Sequence, residues 1–156
     1  MGSPSACFTS TSSSPEASIR VFLDANVLFS AAYREDSPLL RLWERRGVEL
    51  LTSAYARAEA ERNLSPNQRD RLADLMAGVR VVPDAPSHDL PEGLSLRKKD
   101  LPIISAAIGA MATHLITGDR RDFGPYYGKR LGNTLVLPPR DYLARSGRKP
   151  KRRTKK

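Results

Sequence analysis

The sequence contains few of the side chains used in thiol chemistry and in soft-metal sites. Among its 156 residues there is one cysteine, Cys7, and there are two histidines, His88 and His114. A single cysteine excludes an internal disulfide and a cysteine-rich zinc site, and two histidines are too few for a histidine-rich metal site. If the protein binds a metal ion, the ligands must therefore be oxygen atoms.

Long hydrophobic runs are also absent. No apolar segment approaches the roughly 20 residues of a membrane-spanning helix, and the mean hydropathy is −0.45. The first residues have neither the basic region nor the apolar region of a secretory signal. We therefore expect a cytoplasmic protein that has no membrane partner.

Basic residues outnumber acidic ones, but the excess is concentrated at one end of the chain. The net charge is +9, from 26 Lys and Arg against 17 Asp and Glu. Residues 145–156 hold eight of the basic residues and no acid, which leaves 18 basic residues against 17 acidic ones elsewhere. Such a tail can bind a polyanion such as RNA through counterion release without reading its sequence. A solvated end that only aids solubility remains an alternative.

The distribution of residue types divides the chain into three parts. Residues 1–18 are rich in Ser and Thr, and we expect a disordered leader there. Residues 145–156 are expected to form a disordered basic tail. Residues 19–144 alternate short β-rich runs with helical runs, which predicts a single α/β domain with a mainly parallel sheet.

The order of these runs predicts where the strands and helices lie. Helices are predicted over 37–46 and 101–113, and a long loop is predicted over 118–133. The helix over 101–113 is apolar on nearly all sides, so we expect it to be buried against the sheet. The predicted strands number five and lie at 19–23, 48–52, 79–82, 115–117 and 134–137.

Four carboxylates stand at places where an α/β sheet binds ligands. Asp24 directly follows the first strand, and Asp119 follows the fourth. Ligands of open parallel sheets gather beyond the carboxyl ends of the strands, so these two side chains are expected to be neighbours. Asp100 begins the buried helix, and Glu59 lies on a helix after the second strand.

Each acid taken alone also has a structural interpretation. Asp100 can serve as a helix N-cap, Glu59 as exposed helix surface, and Asp119 as a turn residue. Asp24 is harder to explain in this way, because it ends an apolar strand and no turn glycine follows it. It is the combination of the four that indicates a functional site.

Three segments of the chain occur in the order and at the spacing of one known family. They are FLDANVLFSA, LTSAYARAEAERNL and KKDLPIISAAIGAMATHLITGDRRDFGP, and together they span about residues 19–139. The pattern resembles the PIN domain, the nuclease fold of VapC-type toxins from toxin–antitoxin pairs. The resemblance implies a three-layer α/β/α sandwich around a central, mainly parallel sheet of about five strands. It also implies metal-dependent cleavage of RNA.

The resemblance further implies roles for individual residues. Catalysis and metal binding fall to Asp24, Glu59, Asp100 and Asp119. The implied cofactor is Mg²⁺ or Mn²⁺, both of which prefer hard oxygen ligands. Supporting polar residues lie beside these acids and are Asn26, Thr117 and the additional acid Asp122.

Basic side chains flank two of the acids. We expect them to bind substrate phosphates at the mouth of an otherwise anionic cleft. Solvated loop charges are the alternative interpretation. The residues concerned are Lys98, Lys99, Arg120 and Arg121.

The sequence therefore predicts a metal-dependent endoribonuclease. By resemblance its partners are RNA, a cognate antitoxin protein and a second copy of the chain in a homodimer. A catalytically inactive PIN-like module that binds RNA or a protein partner is an alternative, although all four acids are intact. A phosphatase with a covalent strand-end aspartate is another, but that chemistry needs a second acid two residues after Asp24, where Asn26 stands.

Overall fold

The β-branched and apolar runs form one six-stranded sheet in the computed structural model, which describes residues 19–85, 90–91 and 93–147. The spatial order is β3-β2-β1-β4-β6-β5. Neighbouring strands are parallel except for β5 and β6, which are antiparallel. The strands are β1 Ile19–Leu23, β2 Val48–Ser53, β3 Val79–Val82, β4 His114–Ile116, β5 Arg130–Leu131 and β6 Thr134–Leu137.

Helices flank this sheet and give the predicted three-layer α/β/α arrangement. The α-helices are α1 Ala25–Tyr33, α2 Ala54–Arg62, α3 Pro66–Met76, α4 Leu101–Gly109 and α5 Pro139–Gly147. Short 3₁₀ helices cover Pro38–Glu44, Lys98–Asp100 and Gly124–Tyr126. No described helix is long and apolar enough to cross a membrane.

Serine side chains start several of these helices, as their positions in the sequence predict. The Ser53 hydroxyl accepts a hydrogen bond from the backbone N–H of Ala56 at 3.1 Å. Ser65 and Gln68 form a reciprocal capping box at the start of α3, with Pro66 at the first helical position. These caps satisfy backbone donors that the helices themselves leave unpaired.

The strand order reverses between β1 and β4, which are neighbours in the sheet. The carboxyl ends of these two strands therefore lie side by side. Leu23 lies opposite Ile116 in the register of the two strands. The next residue, Asp24, donates its backbone N–H to the Ile116 carbonyl at 3.1 Å. Chains leave toward opposite sides at such a point, so a crevice opens beyond the strand ends.

The centre of the sheet and α4 supply much of the core. The side chains of Phe22, Leu51 and Leu115 are fully buried, and so is Ile104 on α4. The prediction that the helix beginning near residue 101 is buried is confirmed. This rigid packing fixes Asp100, which immediately precedes α4.

Several predicted boundaries and elements differ from the structure. The sheet of about five strands has a sixth, because Arg130–Leu131 pairs with β6 inside the segment predicted as a loop. Residues 37–46, predicted as a helix, hold a 3₁₀ helix over Pro38–Glu44. The last helix continues to Gly147, three residues into the segment assigned to the basic tail. The predicted leader over 1–18 and the rest of the tail lie outside the described residues.

The buried helix α4 ends at Gly109, four residues before the predicted end at Thr113. Met111 has a φ of +58°, the left-handed conformation that ends many helices. The backbone N–H of Ala112 then bonds the Ala107 carbonyl at 2.9 Å, and that of Met111 bonds the Ile108 carbonyl at 2.9 Å. This is a Schellman motif with methionine where glycine is usual, so no glycine marked it in the sequence.

Candidate active site

Asp24 stands at the end of β1 with both of its carboxylate oxygens hydrogen-bonded. Oδ1 accepts from the backbone N–H of Ala25 at 2.6 Å, so Asp24 also caps α1. Oδ2 accepts from the Thr117 hydroxyl at 2.7 Å and from the Asn26 side-chain amide at 3.2 Å. The residue is 4% exposed. Its orientation is therefore fixed by the first residues of α1 and by the residue that follows β4.

Asn26 and Thr117 join the ends of β1 and β4 through hydrogen bonds. The Asn26 amide also donates to Thr117 Oγ1 at 3.3 Å, and its Oδ1 accepts from the backbone N–H of Gly118 at 2.8 Å. Thr117 Oγ1 accepts from the backbone N–H of Asp119 at 3.1 Å. This network connects the position of Asp24 to that of Asp119.

Asp100 is buried and incompletely hydrogen-bonded. It is the last residue of a 3₁₀ helix, is 5% exposed, and makes no side-chain cap to α4. Within the described part of the chain, its fully buried Oδ2 has no hydrogen-bond partner. A buried charged group without a partner is costly, so this oxygen is suited to a cation. The alternative interpretation of Asp100 as a plain helix cap is wrong.

Asp119 and Asp122 belong to one tight turn after β4. Asp119 Oδ1 accepts from the backbone N–H of Asp122 at 3.2 Å. Asp122 is 8% exposed, and its Oδ2 accepts from Arg97 Nε at 2.8 Å. Arg97, which is exposed at the protein surface, therefore fixes the position of one oxygen of Asp122.

Three carboxylates converge at this point. Asp100, Asp119 and Asp122 can each present an oxygen so that the three atoms lie within 4.8 Å of one another. Carboxylate oxygens at such a spacing suit a hard divalent cation such as Mg²⁺ or Mn²⁺. Asp100 also has a buried oxygen without a hydrogen-bond partner among the described residues, so the donor set fits the implied cofactor. Asp122, which the sequence indicated only as a supporting acid, is part of this group.

The four acids predicted from the sequence line a single cavity of about 250 Å³. Asp24 and Glu59 lie in its wall but outside the group of three acids found among the described residues. Glu59 is one-third exposed and forms an ion pair with Arg62 at 3.0 Å. Two members of the close cluster, Asp100 and Asp119, therefore line the cavity with Asp24 and Glu59, whereas the third member, Asp122, lines a neighbouring cavity with Arg97.

The pKa values of Asp24 and Asp100 reflect burial and the charge of neighbouring acids. Burial raises the pKa of Asp24, hydrogen bonds from Thr117 and Ala25 oppose the rise, and the charge of Asp119 adds to it. Burial also raises the pKa of Asp100 to about 7, with a further contribution from Asp122. These shifts mean that the acids do not readily carry full negative charge without a cation nearby.

Asp122 is shifted in the opposite direction. Its pKa is lowered chiefly because protonated Asp100 can hydrogen-bond to it, and further because Arg97 favours its ionised form. When both carboxylates are ionised, no hydrogen can bridge them, since both are then acceptors only. The pair is therefore set to hold one proton together, or to give it up when a cation binds.

The four predicted phosphate-binding residues are exposed, but they do not share one location. Lys99 lines the acidic cavity, and its carbonyl accepts from the Tyr55 hydroxyl at 2.9 Å. Arg120 lines a neighbouring cavity, whereas Arg121 lines a third one with Arg97. Lys98 is exposed on the short helix before Asp100.

Comparison with known families gives one match, to the PIN domain, over residues 20–121. That span covers more than half of the chain and includes Asp24, Glu59, Asp100 and Asp119. The chain belongs to the PIN domain family. Comparison with curated proteins gives no match.

A solved structure supports the same fold for this PIN domain. It is the crystal structure of VapBC2 from Rickettsia felis bound to a DNA fragment from their promoter. The similar chain there is 17% identical, and the match covers 77% of the present chain and 98% of that one, with a TM-score of 0.57. At this identity the likeness establishes the fold.

Arg97 is the site residue that the sequence did not indicate. It lies in the segment RKKD, three residues before Asp100, where it looks like another exposed basic residue. Its partner Asp122 is 25 positions away in the sequence. The only signal in the sequence was the run of basic residues before Asp100, and nothing in that run distinguished Arg97 from Lys98 or Lys99.

Proposed function

We propose that this PIN domain is a metal-dependent endoribonuclease that hydrolyses RNA phosphodiesters. The observation that carries the proposal is a cluster of three carboxylates, one of which, Asp100, has a buried Oδ2 without a partner among the residues that the structure describes. A structural acid would be expected to satisfy that oxygen with a donor from the protein. Here the neighbours are other acids, which favour a bound divalent cation.

Asp100, Asp119 and Asp122 would hold an Mg²⁺ or Mn²⁺ ion, and Asp24 and Glu59 are the further acids of the cavity that Asp100 and Asp119 line. Such an ion supplies Lewis-acid activation of water and neutralises charge that develops on the phosphodiester. No cysteine or serine–histidine pair is required for this chemistry.

The side chains of the protein position and bind the substrate. The network of Asn26 and Thr117 keeps Asp24 in one orientation, so its carboxylate meets the reacting groups without rearrangement. The positively charged Lys99 side chain lies in the wall of the acidic cavity. There it can contact a substrate phosphate that the carboxylates would otherwise repel. Arg97 keeps Asp122 ionised and in place.

We propose further that the protein is the toxin of a toxin–antitoxin pair and acts in the cytoplasm. Support comes from family membership and from the similar fold in VapBC2 of Rickettsia felis. On this proposal a cognate antitoxin binds the domain, and the domain forms a homodimer. Copurification of the protein with a neighbouring gene product, and its molar mass in solution, test these two points.

The nuclease proposal is tested on a mixed pool of single-stranded RNA. Wild type, Asp24→Asn and Asp100→Asn are each assayed with Mg²⁺, with Mn²⁺ and with EDTA, and the product ends are mapped. Asp70→Asn is the matched control, because Asp70 is an exposed acid on α3. We expect metal-dependent cuts that leave 5′-phosphates in wild type and control, and none in the other two variants.

Two outcomes would contradict this proposal. Cleavage that persists in EDTA, or in both site variants, would mean that the acidic cavity does not perform the reaction. RNA binding without any cleavage, lost when residues 148–156 are deleted, would instead favour a catalytically inactive binding module.

A further inference from the structure

We propose that a second cavity, beside the acidic one, binds a single nucleotide of the RNA next to the bond that is cut. This inference rests on the proposed nuclease function. The cavity has a volume of about 570 Å³ and lies between the turn after β4 and the start of α5. Its volume is within the range of pockets that hold small organic ligands.

The two cavities meet at one short segment of backbone. Asp119 lines the acidic cavity, while its neighbours Gly118 and Arg120 line the second one. Consecutive Cα atoms are about 3.8 Å apart, so the two spaces are separated by roughly the width of one residue. An RNA strand whose phosphodiester lies at the acids therefore extends into the second cavity with its next nucleotide.

The wall of this cavity is preformed. The Tyr127 hydroxyl donates to the Thr117 carbonyl at 2.9 Å, and the backbone N–H of Gly124 donates to the Arg120 carbonyl at 3.1 Å. Gly118 is held by its hydrogen bond to Asn26, which also contacts Asp24. The shape of the nucleotide cavity is thus coupled to the acid that ends β1.

The charged side chains match the parts of a nucleotide. Arg120 and Arg140 are both exposed, and neither has an ion-pair partner among the residues that the structure describes. Guanidinium groups bind phosphate through paired hydrogen bonds. Tyr127 and Pro139 line the same space and provide apolar surface for a base.

Asp141 adds an acceptor to this cavity. It is exposed at the start of α5 and lines the space together with the two arginines. A carboxylate accepts hydrogen bonds from exocyclic amino groups, as in contacts with cytosine N4. We therefore expect a base that carries an amino group to bind better than uracil, which has none.

The test measures binding without cleavage. Single-stranded dinucleotides CpC and UpU are titrated into the ¹⁵N-labelled full chain in EDTA, and backbone amide shifts are followed by NMR. We expect CpC to shift Gly118, Gly124 and Asp141 and to bind more tightly than UpU. Good base contacts discriminate by about 1–3 kcal/mol, so a preference of about tenfold is expected.

Variants locate the contacts. Arg140→Ala should weaken CpC binding about tenfold, whereas Arg130→Ala should not change it. Arg130 is a matched control, because it is an exposed arginine on β5 beside the amino-terminal half of β6, away from the strand carboxyl ends. Asp141→Asn should remove the preference for CpC over UpU while leaving binding measurable. Arg120→Ala is a second phosphate variant in case Arg140→Ala disturbs α5.

The outcomes separate this inference from the nuclease proposal. Equal effects of Arg140→Ala and Arg130→Ala, or shifts confined to other surfaces, would overturn the nucleotide cavity even if the protein cleaves RNA. Localised binding with the expected preference would support the cavity even if no cleavage is found, because EDTA excludes metal-dependent chemistry from the measurement.

Discussion

Replacing Asp100 by asparagine should stabilise the metal-free protein above neutral pH. Burial and the neighbouring Asp122 raise the pKa of Asp100 from 3.8 to about 7. The folded state therefore holds this proton more tightly than the unfolded chain does, and the stability that the proton provides is lost as the pH rises through about 7. Above that pH the ionised carboxylate destabilises the fold, and asparagine removes that charge.

The magnitude follows from the size of the pKa shift. One pKa unit corresponds to about 1.4 kcal/mol, so the full shift sets a ceiling of about 4 kcal/mol. Part of it belongs to the coupled Asp122, and the asparagine amide still has to find hydrogen-bond partners. We therefore expect a gain of about 2 kcal/mol at pH 8, which corresponds to a rise in Tm of about 4–8 °C.

Thermal and urea unfolding in EDTA and in excess Mg²⁺ or Mn²⁺ provide the assay. In EDTA the gain should be largest at pH 8 and should shrink toward pH 5, where Asp100 is protonated in the fold. Excess metal should stabilise wild type, by about 2.7 kcal/mol at 100 times the Kd, and should stabilise Asp100→Asn much less. Destabilisation by the substitution in EDTA, or an undiminished metal effect, would refute the reasoning. Asp70→Asn serves as the exposed control.

Three further predictions concern other contacts. Arg97→Ala should weaken Mn²⁺ binding about tenfold by calorimetry because Asp122 loses its anchor, and Arg97→Lys should restore part of the loss. Trp43→Phe should lower the free energy of unfolding by about 1 kcal/mol, seen as a lower urea midpoint with an unchanged m-value, since the indole N–H donates to the Leu75 carbonyl. Burial and nearby arginines lower the pKa of His114, so unfolding free energy should fall below about pH 6.5 less steeply in His114→Gln than in wild type.

The sequence predicted the elements whose signals are local. Strand β1 is an apolar, β-branched run, and the strand predicted at 19–23 was located correctly. The neighbourhood of Asp24 and Asp119 also followed from a general rule, because carboxyl ends of adjacent parallel strands meet at one edge. These conclusions needed only residue type, spacing and the geometry of a parallel sheet.

Features that depend on tertiary contacts could not be predicted. Arg130–Leu131 is a strand only because β6 lies beside it, and a two-residue run has no periodicity to detect. The end of α4 depends on Met111 in a left-handed conformation that its side chain does not signal. The Arg97–Asp122 pair joins residues that only the folded chain brings together. The same is true of the contact of Asp122 with Asp100 and Asp119, so the sequence could not place Asp122 in the acidic cluster.

The structure also distinguishes acids that the sequence treats alike. Asp24 accepts hydrogen bonds from Ala25, Thr117 and Asn26, so an asparagine at this position would leave at least one of those donors without an acceptor. Such a loss costs about 1–3 kcal/mol and offsets the benefit of removing a buried charge. No donor from the described part of the chain contacts Oδ2 of Asp100, so asparagine there loses no hydrogen bond to that oxygen. Asp24→Asn should therefore stabilise the metal-free protein less than Asp100→Asn, although both substitutions should abolish cleavage. If Asp24→Asn stabilised the protein more than Asp100→Asn in EDTA, this distinction would be wrong. Asp24 would then not serve mainly to organise the strand ends, and Asp100 would not be the acid left free to bind a cation.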